Sequence, residues 1–213
     1  MPLQSPPTDL DGFPERAAGA TPGEVYRMYW HRDRVTGDVN SPWRFASIPP
    51  GASRFDLPAP EGTCYWSDRR YGAFLEVFRG ATLIDMADVK ARRLWRGTPP
   101  AMRLADVIAD AAYQYGVTAA ISTQPDYAKP QEWAEALRNE GFEGLIGTCS
   151  HDPKSKALNV AVFGNTGAPP DQPGWTVTAG AVETDGDLLR EFASFNIHIE
   201  PVPFDVAVSP PPA

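Results

Sequence analysis

Cysteine and histidine are scarce in this sequence. Its 213 residues include two cysteines, Cys64 and Cys149, and three histidines, His31, His151 and His198. Two cysteines can form at most one bridge, which excludes a disulfide-stapled scaffold, and we expect both to be buried free thiols. The spacing of these five residues matches no zinc-binding pattern, so no metal site is predicted.

Long hydrophobic runs and export signals are also missing. The longest apolar run is only a few residues, whereas crossing a bilayer takes about 20. The opening segment, MPLQSPPTDLDG, has neither the basic start nor the apolar stretch of a signal peptide. The chain also lacks P-loop, GxGxxG, HExxH and GxSxG motifs. We therefore expect a cytoplasmic protein with no membrane partner.

The charge is unevenly distributed along the chain. Residues 1–110 hold 14 basic and 14 acidic side chains, whereas residues 111–213 hold 5 basic and 13 acidic ones and carry the whole net charge of −8. An acidic total argues against a nucleic-acid partner, which requires a basic face. Arginine dominates the basic residues of the first half, and guanidinium groups bind phosphate oxygens in pairs. This favours a pocket for a small phosphorylated ligand.

The pattern along the chain predicts one α+β domain with flexible ends. Residues 1–23 are rich in proline and poor in large apolar side chains, so we expect a disordered tail, then a domain over 24–205 and a flexible tail over 206–213. Short stretches rich in β-branched and aromatic residues predict strands at 25–30, 63–66, 82–86, 118–122, 145–148, 158–163 and 176–182. Capping residues and apolar periodicity predict helices at 67–79, with Ser67 as N-cap, and at 103–115, 131–139 and 187–195.

A glutamate lies opposite the apolar stripe of the first predicted helix. Tyr71, Phe74, Leu75 and Phe78 recur at helical spacing and form one core-facing stripe. At 100° per residue, Glu76 lies about 150° from the middle of that stripe. Two interpretations remain open on periodicity alone: a carboxylate in a cleft, or an ordinary surface glutamate.

Two arginines occur within apolar segments. Arg27 lies in VYRMYW and Arg54 in SRFDLP, where bulky neighbours favour burial. A buried guanidinium must be paired or must reach a ligand, because an unpaired buried charge is costly. Asp56 is a candidate ion-pair partner for Arg54, so an internal salt bridge and a ligand contact both remain open.

Several motifs, taken in their order along the chain, resemble the RES-domain family. The order is Tyr-Arg at 26–27, Arg-Phe-Asp at 54–56, Gly-Thr-Cys-Tyr at 62–65, Ala-Phe-Leu-Glu-Val at 73–77, Gln-Glu-Trp-Ala at 131–134, Gly-Phe-Glu-Gly-Leu-Ile at 141–146 and a serine near 150. The resemblance covers about residues 24 to 166. Its most specific parts are SRFDLPAPEGTCYW and GAFLEVF.

The resemblance implies an NAD-degrading enzyme with a fold similar to ADP-ribosyltransferases, often the toxin of a bacterial toxin–antitoxin pair. Such an enzyme releases nicotinamide as an NAD glycohydrolase or NAD phosphorylase. NAD is then the substrate, inorganic phosphate a candidate co-substrate, and an antitoxin protein a candidate partner; no further cofactor is expected. ADP-ribosyl transfer to a macromolecule and a binding module without turnover remain alternatives.

Site residues follow from the matched motifs. Glu76, Arg54 and Ser150 match the catalytic positions, while Arg27 matches a second cation and Tyr26 and Tyr65 match aromatic positions around the substrate. The register near the serine also permits Cys149 at that position, although we prefer Ser150.

Overall fold

A seven-stranded mixed sheet organises the chain. The computed structural model describes residues 2–16, 23–48 and 53–201. The strands are β1 (Val25–Trp30), β2 (Ser47–Ile48), β3 (Leu57–Pro58), β4 (Glu61–Ser67), β5 (Leu83–Asp85), β6 (Arg92–Thr98), β7 (Leu104–Asp106), β8 (Gly144–Thr148), β9 (Leu158–Asn165), β10 (Thr176–Ala181) and β11 (His198–Glu200). The helices are α1 (Arg70–Phe78), α2 (Met86–Lys90), α3 (Ala120–Thr123), α4 (Ala128–Asn139) and α5 (Gly186–Ser194), with 3₁₀ turns at Asp110–Tyr115 and Val182–Thr184.

The strand order in the large sheet is β10-β6-β1-β4-β9-β8-β7. Strands β7 and β8 are parallel, and all other neighbours in this sheet are antiparallel. Two parallel pairs, β11-β5 and β2-β3, lie outside it. This confirms the predicted α+β class. No helix in the described ranges is long and apolar enough to cross a membrane.

Both faces of the sheet are covered, because alternate residues of its central strands enter different clusters. On β4, Cys64 and Trp66 pack with Trp43 on one face. Tyr65 points the other way and packs against the cluster that contains Phe55 and Leu145. The period-2 alternation of a strand thus supplies two hydrophobic layers, and residue 65 faces a different layer from its two neighbours.

Helix α1 packs through the predicted stripe, and Tyr71, Phe74, Leu75 and Phe78 are all buried. It begins at Arg70, three residues after the predicted N-cap. The physical reason is that Ser67 still belongs to β4, where its hydroxyl donates to the carbonyl of Leu158 at 2.9 Å. The predicted cap position is therefore wrong, although the buried face is as expected.

Two other secondary-structure predictions are wrong. The predicted strand at 118–122 contains most of helix α3, and the predicted helix at 103–115 contains β7 followed by a 3₁₀ turn. Pairing with β8 extends Leu104–Asp106, so tertiary contact overrides the local periodicity. Strand β6 is not among the predicted strands because it is arginine-rich, although its burial alternates over residues 92–95.

The expected tail at residues 1–23 is wrong over residues 2–16. Leu3, Leu10 and Phe13 are buried in the cluster that contains Trp133. The Trp133 indole donates to the carbonyl of Gln4 at 2.9 Å. Three well-spaced large side chains are enough to dock this proline-rich segment. Residues 17–22 and the predicted tail at 206–213 lie outside the described residues.

Candidate functional site

A cavity of about 420 Å³ lies where two neighbouring strands separate. Strand β1 pairs with β6 from Val25 to Trp30, but with β4 only at Tyr26↔Ser67. Residues of both β1 and β4 line the space beyond that pair. All six residues that the motifs indicated lie on its wall, namely Tyr26, Arg27, Arg54, Tyr65, Glu76 and Ser150.

The Glu76 carboxylate reaches the cavity from α1. Close packing of the helix on β4 places it there: a Cβ added at Gly72, one turn earlier, would lie 2.3 Å from the Ser67 hydroxyl oxygen. The side chain is partly buried, and its Oε1 is enclosed and accepts no hydrogen bond from any described residue. Of the two interpretations left open by the sequence, the structure shows the carboxylate in a cleft.

The guanidinium of Arg54 enters from the loop before β3. Its Nη1 donates to the carbonyl of Gln124 at 2.6 Å, and its carbon lies 4.8 Å from the centre of the Tyr127 ring. Burial lowers the pKa of Arg54, while Tyr127 and Glu76 oppose that effect. The stacking and the single carbonyl bond orient the group and leave further N–H donors for a ligand.

The Arg54 loop is held by Tyr65 and Asp56. The Tyr65 hydroxyl donates to Asp56 Oδ1 at 2.8 Å and accepts the N–H of Phe55 at 2.9 Å. Burial raises the pKa of Asp56, and burial together with that carboxylate raises the pKa of Tyr65 well above its usual range. No ion pair joins Arg54 to Asp56 in the described part of the chain. The structure therefore does not show the internal salt bridge that the sequence left open.

Arg27 crosses the gap between the separated strands. Only 9% of it is exposed, and its Nη1 donates to the backbone carbonyl of Tyr65 at 2.7 Å. Its Nε is buried without a partner among the described residues, and its carbon lies 5.0 Å from the Tyr29 ring centre. Arg27 forms no ion pair with any carboxylate in the part of the chain that the structure describes, so it adds positive charge to the cavity wall while holding β4 at the edge of the gap.

Tyr26 lies at the last paired position of the two strands. Its hydroxyl donates to Glu24 Oε2 at 2.9 Å, so this polar group is directed to a neighbour on its own strand edge. The rest of the side chain packs beside the α1 cluster and lines the cavity.

The turn after β8 places two adjacent residues differently. Ser150 is exposed and lines the cavity together with His151. Cys149 is 3% exposed and belongs to the cluster beneath α1. Of the two candidate positions for the serine motif, Ser150 is therefore the one that a ligand in the cavity can reach.

Several wall residues were missed by the sequence reasoning. The guanidinium carbon of Arg92 lies 3.7 Å from the centre of the Trp30 ring, and its Nη1 lies 3.5 Å from Asp88 Oδ1. Arg79 follows the last residue of α1 and has a left-handed backbone with φ 44°. Asn159 also lines the cavity; a polar residue within the apolar strand LNVAVF was the signal available for it. The pairing of Trp30 with Arg92 arises only from sheet topology, so no local pattern could have indicated it.

Positive charge dominates the cavity wall. Four guanidinium groups, of Arg27, Arg54, Arg79 and Arg92, face a single carboxylate, Glu76. Among the described residues, no three His, Cys, Asp or Glu side chains gather as metal ligands would. The size lies in the range of small-molecule sites, and the charges suit an anionic ligand with planar rings that can stack on the tyrosines.

Comparisons with known proteins bear on the family and the fold of the chain. The profile of the RES domain family matches residues 24–179. Among solved structures, the chain is similar to one in the crystal structure of the M. tuberculosis MbcT-MbcA toxin-antitoxin complex. The TM-score is 0.52 at 16% identity, over 80% of this chain and 88% of that one. At this identity the likeness is one of fold. None of the curated proteins compared with the chain matches it.

Proposed function

The chain belongs to the RES-domain family, and from this membership we propose that it cleaves NAD at the bond between nicotinamide and ribose. The observation that supports the proposal best is the shared cavity: a partly buried carboxylate and four guanidinium groups, drawn from distant parts of the chain, line one space.

Glu76 acts on the ribose. As nicotinamide leaves as a neutral base, the sugar gains oxocarbenium character, so a carboxylate beside it is attracted more strongly in the transition state than in the substrate. At an effective dielectric of about 20 and a separation of about 4 Å, the attraction is about 4 kcal/mol. That corresponds to roughly a thousandfold in rate before any ground-state attraction is subtracted.

The arginines bind the pyrophosphate. Arg54 has one N–H committed to the Gln124 carbonyl and is stacked on Tyr127, so its remaining donors are pre-oriented for a two-pronged contact. Arg27 adds charge from within the strand gap. Tyr65 holds the Arg54 loop and presents its ring to the cavity, which makes it both a support and a wall for the substrate.

Ser150, which is exposed and lines the same cavity, orients a ribose or acceptor oxygen. We assign it no nucleophilic role, because the reaction needs only an acceptor for the ADP-ribosyl group. That acceptor is water in a glycohydrolase and inorganic phosphate in a phosphorylase.

The biological role we propose is that of a toxin with a cognate antitoxin protein. The support is the fold shared with a chain of a toxin-antitoxin complex, together with family membership. Expression of the chain alone in a bacterium should lower cellular NAD and stop growth. Unchanged NAD and normal growth at a detectable protein level would reject this role.

The enzymatic proposal is tested by incubating purified protein with NAD, with and without phosphate. We expect free nicotinamide, together with ADP-ribose in phosphate-free buffer or a phosphorylated ADP-ribose when phosphate accepts. Nicotinamide that appears only with an added acceptor protein, together with a mass shift on that protein, would instead identify a transferase. Absence of nicotinamide under all conditions would reject NAD cleavage.

A further inference from the structure

Helix α4 carries the motif Gln-Glu-Trp-Ala at residues 131–134, which has no role in the proposed function. Trp133 and Ala134 are fully buried in one core cluster, so they fix the inner face of the helix. Gln131 is only partly buried, and its side-chain Nε2 donates to the backbone carbonyl of Ser53 at 3.0 Å. The motif therefore joins α4 to the residue directly before Arg54.

Ser53 begins the loop that carries Arg54. Its N–H donates to Asp56 Oδ2 at 2.6 Å, and its carbonyl accepts the N–H of Asp56 at 3.2 Å. These two bonds close the loop on itself, but they do not fix its place relative to the rest of the fold. The bond from Gln131 does so, because it comes from a helix whose inner face is packed in the core.

Phe55, on the other side of Arg54, is attached to a different element. Its N–H donates to the Tyr65 hydroxyl at 2.9 Å, and its carbonyl accepts the hydroxyl of Thr63 at 2.7 Å. Both partners belong to β4. The neighbours of Arg54 are thus bonded to α4 on one side and to β4 on the other, which limits the backbone rotation left to Arg54.

The far end of the Arg54 side chain is held close to the same helix. The guanidinium donates to the carbonyl of Gln124 and stacks on the ring of Tyr127, the residue directly before α4. One region of the fold therefore holds both the backbone before Arg54 and its guanidinium. A shift of the loop away from α4 would separate these two anchors and turn the group out of its present direction.

We propose that Gln131 is a positioning residue for Arg54, and that its bond to the Ser53 carbonyl sets where the guanidinium enters the cavity. This inference rests on the proposed function, in which Arg54 binds the pyrophosphate of NAD. Gln131 does not line the cavity, so it acts on the substrate only through the arginine.

Replacement of Gln131 by methionine keeps the length of the side chain and removes its donor. We expect Gln131→Met to bind NAD about 3- to 10-fold more weakly in a titration in the Glu76→Gln background, as for the loss of one hydrogen bond. The pyrophosphate lies away from the bond that breaks, so in the active enzyme KM should rise by a similar factor with little change in kcat. Gln114→Met is the matched control, since Gln114 is exposed and does not line the cavity, and it should change neither value.

A double-mutant cycle separates positioning from packing. If Gln131 acts through the guanidinium, Gln131→Met should weaken NAD binding when Arg54 is present and have no further effect in Arg54→Ala. The same loss in both backgrounds would mean that Gln131 acts by another route and would overturn the proposal. Unchanged affinity and KM in Gln131→Met alone would also overturn it. Melting temperatures verify that each variant is folded.

Hydrogen exchange tests the anchor in the absence of NAD. Loss of the Gln131 bond should let the loop open more often, so amides of residues 53–58 should exchange about 3- to 10-fold faster in Gln131→Met, while those of β8 stay unchanged. Unchanged exchange at 53–58 would overturn the anchor even if NAD is cleaved. Faster exchange in a protein whose wild type neither binds nor cleaves NAD would keep the anchor and reject the proposed function.

Discussion

Replacement of Arg54 by lysine probes how the cavity binds the pyrophosphate. The guanidinium keeps one N–H on the Gln124 carbonyl and stacks on Tyr127, so it can still present a pair of donors to phosphate oxygens. A lysine ammonium is a point charge, so it cannot bond to the Gln124 carbonyl, stack on Tyr127 and present a pair of donors to phosphate at the same time. Loss of one hydrogen bond to a charged group costs about 1.5–3 kcal/mol. We therefore expect Arg54→Lys to weaken NAD binding about 10- to 100-fold.

The measurement is a calorimetric titration with NAD in a Glu76→Gln background, so that the substrate is not consumed. Arg138→Lys is a suitable control, because Arg138 pairs with Glu61 at 2.6 Å and does not line the cavity. It should leave NAD affinity unchanged. If Arg54→Lys also binds NAD with unchanged affinity, Arg54 does not clamp the phosphates, and its role is to hold its loop to the Gln124 carbonyl.

Two further predictions concern stability. Phe13→Ala should lower the free energy of unfolding by about 3–5 kcal/mol, as for a buried aromatic residue, and an unchanged melting temperature would mean that residues 2–16 do not dock. Burial opposes the ionisation of Asp152, but hydrogen bonds from Ala157, Lys154 and Lys156 outweigh it and lower the pKa of Asp152. The stabilisation that Asp152 gives the folded protein is therefore present above its unfolded pKa of about 3.9, and it is lost as the pH falls through the lower pKa of the folded state. Asp152→Asn should melt earlier at neutral pH and lose less stability on acidification; parallel melting curves against pH would contradict this.

The local sequence pattern predicted secondary structure correctly where local interactions decide it. The β-branched and aromatic residues of VYRMYW predicted β1 with the observed bounds, and the stripe on α1 placed Glu76 opposite the core. Other features of the fold depend on which strands are neighbours in the sheet. Arg92 reaches the cavity only because β6 pairs with β1, and Leu104–Asp106 is extended only because β8 lies beside it.

The candidate site likewise has features that the sequence indicates and features that only the fold creates. The ordered motifs indicated Arg54, Glu76 and Ser150, and the structure brings all three to one cavity wall. Single-residue chemistry could not indicate that the Tyr65 hydroxyl is committed to Asp56, or that the Arg54 guanidinium donates to the carbonyl of Gln124. The Arg54 contact joins residues 70 positions apart in the chain, and only the folded structure reveals either contact.

Nicotinamide release by the wild type and by Glu76→Gln tests the central claim most directly. The two side chains are nearly isosteric, so both proteins should melt at the same temperature. The wild type should release nicotinamide from NAD, and the variant should be slower by roughly a thousandfold, the magnitude expected for loss of a carboxylate beside a developing cation. Near-full turnover by a folded Glu76→Gln protein would contradict the account.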